Sequence, residues 1–337
     1  MALLTLRLAR CGFGSPALVR RLLGSWVFHL MFRRSAFAVP DEAFRFAQGE
    51  AEPTRVTRLP PGVRAELAGL ALLAPLLVTS LRAPVAPGLW CTDASPSAGA
   101  VVRAALPPQV ARELWRHRDA RGSHVRITPA PEDVADLRDV MPAETALLQQ
   151  CVIELVAAGH GSDPQVQALA EACREREPAD RCERFAAAIQ TPPRRDEWVS
   201  ELVQALPFDL VLRYPFQRRD HINILEANVR LSLVKHLARS PSHFATRQLL
   251  GQDSRVCLGA FAKGRSSARR LNHVEAKVGA YELAADIQTG GLWVDSFRMP
   301  ADAPTRAGGI VLPCPARPWV AAFLAGDLAA LDARLAA

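Results

Sequence analysis

The chain has 337 residues, of which 49% are hydrophobic and 22% are charged. A chain of this length and composition can bury a substantial core, which excludes a disordered tail and a disulfide-stapled miniprotein. The seven cysteines are scattered and form no C-x-x-C pair, so they favour a reducing, intracellular compartment, cytoplasmic or nuclear. The net charge of +7 suits a polyanionic partner. Only three of the 41 basic residues are lysines, a skew that compositional bias also produces, so the net charge alone is weak evidence for nucleic-acid binding. Local clusters of basic residues are needed to support it.

The first 40 residues contain six arginines and no acidic residue, which resembles a mitochondrial transit peptide and keeps that location as a minor alternative. The helical spacing of Leu18–Val19, Leu22–Leu23 and Val27–Phe28 instead predicts a folded amphipathic helix. The most apolar uncharged run, Leu67–Leu81, has 15 residues and is broken by Pro75. A membrane-spanning helix needs about 20 residues, so an integral membrane protein is not expected.

The first half of the chain predicts a helix followed by a hairpin. Val63–Leu73 has helical character, and Gly88–Ser95 and Gly99–Ala105 are strand-like segments joined by a short turn. Period-two alternation places Leu89, Cys91 and Asp93 on one face of the first strand. The middle of the chain predicts helical patches over Glu144–Ala158 and Pro164–Arg174.

The second half predicts further strands and helices. Strand character returns at Phe208–Tyr214, and His221–Glu226 reads as a strand end that passes into a helix with Glu226 in its first turn. The stripe Leu225, Val229, Leu233 and Leu237 has the spacing of a buried helix face. Beyond it we predict a short helix to Ala262, a helix over Leu271–Ile287, a strand over Leu292–Phe297 and a terminal helix over Trp319–Leu335.

Four acidic residues stand out by position: Asp93 in the first strand, Glu226 in the helix, Asp253 after a later strand, and Asp302 after the last strand. With their flanking residues (Thr92–Ser95, His221–Glu226, Asp253–Val256 and Pro300–Arg306), they resemble the ribonuclease H-like domain that follows the reverse transcriptase in retrotransposon polyproteins. The resemblance implies an α/β fold, with a mixed five-stranded sheet flanked by helices, a helical insertion and an N-terminal helical extension.

The resemblance also implies a domain organisation. Residues 1–59 resemble the end of a reverse transcriptase, residues 60–308 form the ribonuclease H-like domain with an insertion at about 126–200, and residues 309–337 form a helical tail. No Asp-Asp dipeptide occurs, so polymerase activity is not expected. The segment before Asp253, residues 247–252, departs from the pattern because it is polar and contains Gly251, which is unfavourable for a central strand.

A cluster of four carboxylates requires cations. Two like charges about 4 Å apart cost on the order of 4 kcal/mol at an effective dielectric constant near 20. Hard oxygen ligands select Mg²⁺ or Mn²⁺. By the resemblance, two ions would be held: Asp93 would bridge both, Glu226 and Asp253 would complete one coordination sphere, and Asp302 would help to hold the ion on the nucleophile side.

A basic segment follows Asp253 and predicts contacts to nucleic-acid phosphates. Its candidate residues are Lys263, Arg265, Ser266, Arg269 and Arg270, and a solvated surface loop is an equally good interpretation. The resemblance implies two partners: an RNA–DNA hybrid as substrate and the rest of a reverse transcriptase polyprotein.

The sequence therefore predicts a metal-dependent endonuclease that hydrolyses the RNA strand of RNA–DNA hybrids. The alternative is a catalytically decayed or host-retained copy that binds nucleic acid without cleaving it. An integrase or transposase fits less well, because those sites end in a glutamate on a late helix, whereas Asp302 lies in a Pro-Ala-Asp turn.

Overall fold

The computed structural model describes residues 1–49, 52–119, 197–306 and 308–336, together with Val152, Val156, Val166 and Gln167. Residues 1–123 and 196–337 form one compact unit, and residues 124–195 are grouped as another. The two helical patches predicted in the middle of the chain, and nearly all of the predicted insertion at 126–200, lie outside the described residues. No described helix is long and apolar enough to cross a membrane.

The first 73 residues fold into four helices and a two-stranded ribbon. Ser15 begins the second helix, because its hydroxyl accepts a hydrogen bond from the Leu18 amide (3.2 Å) and Pro16 follows at the first helical position. The predicted amphipathic helix is confirmed, since Val19, Leu22 and Trp26 are buried there. The elements are α1 (Ala2–Cys11), β1 (Phe13–Gly14), α2 (Pro16–Leu30), α3 (Asp41–Gln48), β2 (Thr57–Arg58) and α4 (Pro61–Leu73).

A five-stranded mixed sheet follows, as predicted. Its strands are β3 (Val85–Ala94), β4 (Ala98–Ala105), β5 (Asp209–Pro215), β6 (Arg247–Gln252) and β7 (Gln288–Trp293). The spatial order is β5-β4-β3-β6-β7. β4 pairs antiparallel with β3 and with β5, which confirms the predicted hairpin, whereas β6 pairs in parallel with β3 and with β7.

Helices cover both faces of the sheet, and successive side chains of β3 point to opposite faces. Leu89 and Cys91 pack with one group of helices, and Trp90 packs with the other. The predicted stripe Leu225, Val229, Leu233 and Leu237 is buried on the Trp90 face, as expected. The helices are α5 (Pro108–Arg116), α6 (Glu197–Ala205), α7 (Ile222–Leu237), α8 (Arg255–Lys263), α9 (Arg269–Ala284), α10 (Asp302–Thr305), α11 (Pro318–Leu324) and α12 (Ala329–Ala336).

The expectation that residues 247–252 would not suit an interior strand is wrong. They form β6 between β3 and β7, because the polar side chains find buried partners. Gln248 accepts a hydrogen bond from Trp90 Nε1 (3.0 Å), and Gln252 accepts one from Thr92 Oγ1 (2.9 Å). Gly251 is required by close packing, because a Cβ there would lie 2.6 Å from Cys91 Sγ.

Two boundaries near the end of the chain differ from prediction. Helix α9 ends at Ala284 and the next strand starts at Gln288, because Asp286 adopts a left-handed backbone (φ 49°) and forms an ion pair with Arg33. The single helix predicted over Trp319–Leu335 is two helices, because Gly326 between them has φ 107°. That conformation cannot continue a right-handed helix.

Candidate active site

Two of the four predicted acids come from neighbouring parallel strands. In the pairing of β3 with β6, Cys91 is opposite Gly251. Two residues further along each strand, the chain reaches Asp93 and Asp253. The hydrogen bond between Thr92 and Gln252 fixes this register immediately before the two acids. Asp93, at 4% exposure, is buried, and Asp253 is half-buried just after the end of its strand.

Glu226 reaches the same place from helix α7. The predicted strand end at 221–226 is wrong: α7 already begins at Ile222, with His221 as its N-cap accepting a hydrogen bond from the Asn223 amide (3.3 Å). Glu226 is therefore in the second turn of the helix. Its carboxylate is buried, and a hydrogen bond with the side chain of Ser254, the residue directly after Asp253, opposes the effect of burial on its pKa. The Cys257 thiol donates to the Asn223 carbonyl (3.2 Å) in the first turn of α7.

Asp302 is the first residue of the single-turn helix α10, which hydrogen bonds hold to the sheet. The Arg213 guanidinium donates from β5 to the Pro304 carbonyl (2.8 Å), and the Ser95 hydroxyl donates to the Thr305 carbonyl (3.1 Å). The Thr305 hydroxyl lies 3.3 Å from Asp93 Oδ2 and 2.7 Å from the Asp302 carbonyl. The turn is thus held against the end of β3.

The four carboxyl groups interact through their charges. Burial, then the charge of Asp253, and then those of Asp302 and Glu226 raise the pKa of Asp93 to about 7. Burial also raises the pKa of Asp253 and of Glu226, and repulsion from Asp302 and from Asp253, respectively, adds to each shift. The structure therefore brings Glu226, Asp253 and Asp302 within range of the charge of Asp93, beyond the ends of β3 and β6. We call this set the acidic pocket.

The acidic pocket contains buried carboxylate oxygens without hydrogen-bond partners in the described part of the chain. Glu226 Oε2 and Asp253 Oδ1 are buried and have no hydrogen-bond partner within the described part of the chain. Buried polar atoms in folded proteins are normally paired, so two orphaned carboxylate oxygens in a repulsive cluster point to a cation. Carboxylate oxygens match the hard ligands preferred by Mg²⁺ and Mn²⁺, so the residues fit the ions that the sequence predicts.

The carboxyl groups are near one another without forming a closed ligand set. Over the described residues, no three His, Cys, Asp or Glu side chains are grouped closely enough to hold an ion as they stand. Mutual repulsion of uncompensated carboxylates explains an open arrangement. Arg306 supplies a positive charge here: its Nε donates to Asp302 Oδ1 at 2.9 Å, and its charge also interacts with that of Asp93.

The predicted nucleic-acid residues form an exposed segment at the end of α8 and the start of α9. Arg269 pairs with Glu42 (3.0 Å), and Arg270 pairs with Asp220, the residue before the N-cap of α7. Arg265 lies over the Phe44 ring (5.0 Å to the centroid), and Lys263 is exposed at the last position of α8. Ser266 Oγ accepts from the Ala268 amide (3.1 Å), which is a local turn contact.

Sequence reasoning missed residues that orient the acids. Thr305 and Arg306 were within the quoted Pro300–Arg306 motif, and Ser254 follows Asp253 directly, but none was expected to contact a carboxylate. Ser254 both caps α8, by accepting from the Cys257 amide (3.3 Å), and donates to Glu226. For Ser254, the signal in the sequence was a hydroxyl residue directly after a motif acid.

Searches against protein-family models, curated proteins and solved structures give no match to this chain.

Proposed function

We propose that the protein is a ribonuclease H-like, metal-dependent endonuclease of retroelement origin that cleaves the RNA strand of RNA–DNA hybrids. The observation that carries this proposal is the convergence of Asp93, Glu226, Asp253 and Asp302 beyond the ends of β3 and β6, with orphaned oxygens on Glu226 and Asp253. The strand order and the mixed pairing of the sheet support the same fold class. The scattered cysteines support an intracellular location, and residues 1–59 would belong to the polymerase-proximal part of a polyprotein.

Each acid has a role that its placement suits. Asp93, Glu226, Asp253 and Asp302 would together hold the Mg²⁺ or Mn²⁺ ions. When bound, such ions supply an activated water and charge stabilisation for the leaving 3′ oxygen. The chain itself orients the carboxylates: Ser254 holds Glu226, and the Thr305 hydroxyl holds Asp93 at the position set by β3.

The basic segment supports a nucleic-acid substrate. Through the ion pair of Arg270 with Asp220, this segment lies beside the start of α7, the helix that carries Glu226. Exposed ion pairs contribute roughly 0–1 kcal/mol, so Arg269 and Arg270 can exchange their acidic partners for phosphates at little cost. This arrangement suits a substrate whose backbone passes from the basic segment to the acidic pocket.

The pairing of Arg306 with Asp302 favours a second candidate, a decayed copy that binds nucleic acid without cleaving it. An arginine that permanently neutralises Asp302 would reduce the demand for metal on that side of the pocket. The ion pair is exposed and lies within one turn of chain, so a divalent ion could displace it. The two candidates differ in whether a divalent ion displaces Arg306 from Asp302.

A cleavage assay separates the candidates. We would incubate the full chain with an end-labelled RNA–DNA hybrid and 5′-labelled double-stranded DNA, with and without Mg²⁺, and compare Asp93→Asn and Asp332→Asn. The nuclease proposal expects Mg²⁺-dependent cleavage of the RNA strand by the unmutated chain and by Asp332→Asn, whose carboxyl is exposed on α12. Asp93→Asn should bind the hybrid without cutting it. Binding without cleavage by the unmutated chain would establish the decayed copy instead.

A further inference from the structure

A second charged cluster lies around Trp90 on the sheet face that α7 covers. Arg103, the pairing partner of Trp90 on β4, places its guanidinium carbon 5.4 Å from the centroid of the Trp90 ring. The imidazole of His236, in the last turn of α7, lies 6.2 Å from that ring, and the imidazole of His243 lies 6.3 Å from it. We call Arg103, His236 and His243 the basic cluster.

The position of His243 is set by a chain of hydrogen bonds. Trp90 Nε1 donates to Gln248 Oε1 (3.0 Å), Gln248 Nε2 donates to Thr246 Oγ1 (2.8 Å), and Thr246 donates to the His243 carbonyl (2.5 Å). This chain connects the buried ring to the turn that precedes β6. Arg103 is positioned as well, because its guanidinium lies across Gly88, where a Cβ would come within 3.1 Å of Nε.

The basic cluster is built from like charges without an acid to balance them. In the described residues, the Arg103 guanidinium and the two imidazoles make no ion pair or side-chain hydrogen bond. Burial, then the charge of His236 and then that of Arg103 lower the pKa of His243. The charged groups that act on His243 are His236 from α7 and Arg103 from β4, and the Trp90 ring from β3 packs against it; none of these is an acid. All three basic side chains are half-buried, so they remain accessible to a small ligand.

The basic cluster is separate from the acidic pocket. His236 follows Glu226 by ten residues on α7, which corresponds to about 15 Å along the helix axis. The cluster is at the end of the sheet where β6 begins, whereas Asp253 follows the end of β6. The basic cluster and the acidic pocket are therefore separate sites.

We propose that the basic cluster binds a phosphate group, either of inorganic phosphate or of a nucleic-acid backbone, and binds it more tightly when the histidines are protonated. The three groups supply a planar guanidinium and two imidazole N–H donors, which suit the oxygens of a tetrahedral anion. Binding would raise the pKa of His243, because an anion stabilises the imidazolium form.

Proton NMR of the histidine ring resonances tests this proposal in the full chain without metal. The probes are inorganic phosphate and a short single-stranded oligonucleotide, each titrated at pH 6 and at pH 8. His29, whose ring lies 5.7 Å from that of Trp26 in α2, is the internal control. We expect saturable shifts of His236 and His243 but not His29, with binding several-fold tighter at pH 6.

Three variants distinguish loss of binding from loss of fold. Arg103→Met should weaken binding by about tenfold or more, and Arg103→Lys should restore part of it. His236→Asn provides a change on a different element, and it should remove most of the pH dependence if it leaves the melting curve unchanged. Preference for the oligonucleotide would identify a nucleic-acid backbone as the ligand, and equal or better binding of inorganic phosphate would identify a small anion. Shifts of all three histidines alike, or binding unaffected by Arg103→Met, would overturn the proposal.

Discussion

Thr92 and Gln252 form a buried hydrogen bond across β3 and β6, 2.9 Å from the hydroxyl oxygen to the amide oxygen. Each residue directly precedes an acid of the acidic pocket. The bond therefore locks the register that brings Asp93 and Asp253 together, and a slip by one residue would turn one of the acids to the other face of the sheet.

A double-mutant cycle tests this bond. Thr92→Val and Gln252→Leu should each reduce the free energy of unfolding by about 1–3 kcal/mol, because each leaves a buried polar group without its partner. The double variant should lose less than the sum of the two, since it removes both polar groups together. Urea unfolding monitored by circular dichroism measures the coupling, and strictly additive losses would mean that the two side chains act independently.

Gly251→Ala should destabilise the protein by about 1–3 kcal/mol, because the new methyl group would press on Cys91 Sγ. The matched control is Gly24→Ala in α2, where no atom lies within 4 Å of the new Cβ. That change should stabilise the protein by about 0.5–1 kcal/mol through helix propensity. Thermal melts of both variants give the comparison, and equal effects would contradict the close approach of β3 and β6.

Asp93→Asn should stabilise the metal-free protein at pH 8 but change its stability little at pH 4. A carboxyl whose folded pKa is about 7 favours the folded state while it is protonated, and this contribution is lost as the pH rises through 7. The asparagine does not titrate, so its melting temperature should exceed that of the unmutated chain by about 5 °C at pH 8. A constant difference between pH 4 and pH 8 would show that the pKa of Asp93 is not raised.

Glu201→Gln should loosen the C-terminal helices. Glu201 is buried in α6 and accepts hydrogen bonds from Arg317 (2.7 Å), Trp319 (2.8 Å) and Arg334 (3.1 Å). Burial alone would raise the pKa of Glu201, but the hydrogen bonds from Arg334 and Trp319 and the charges of Arg334 and Arg317 outweigh it and lower the pKa.

The stabilisation by Glu201 is therefore present above its unfolded pKa and is lost as the pH falls through the lower folded value. We expect a loss of about 1–3 kcal/mol at neutral pH that shrinks in acid, measured by urea unfolding. Asp41→Asn, which removes a surface pair with Arg45, is the control and should change stability by less than about 1 kcal/mol. A loss that persists unchanged in acid would contradict this account.

The sequence predicts the sheet and the main helix well because their signals are local. The placement of alternate β3 residues on opposite faces and the stripe of Leu225, Val229, Leu233 and Leu237 are properties of single segments, and both are borne out. The interior strand β6 was misjudged because its polarity is satisfied by Trp90 and Thr92, which are about 160 residues earlier in the chain.

The acids of the candidate site were found from motif positions, but the groups that orient them were not. The contact of Thr305 with Asp93 joins residues 212 positions apart, and the basic cluster combines β4, α7 and the turn before β6. Such contacts depend on tertiary packing, which no local pattern encodes. The left-handed Asp286 that ends α9 early is likewise explained only by its partner Arg33.

We expect Asp93, Glu226, Asp253 and Asp302 together to bind divalent cations. Titration of the full chain with Mn²⁺, followed by electron paramagnetic resonance of the free ion, measures this binding without relying on catalysis. We predict that the unmutated chain and Asp332→Asn bind about two ions, and that Glu226→Gln and Asp253→Asn each weaken binding by at least about tenfold. Equal, weak binding by all four proteins would contradict the account.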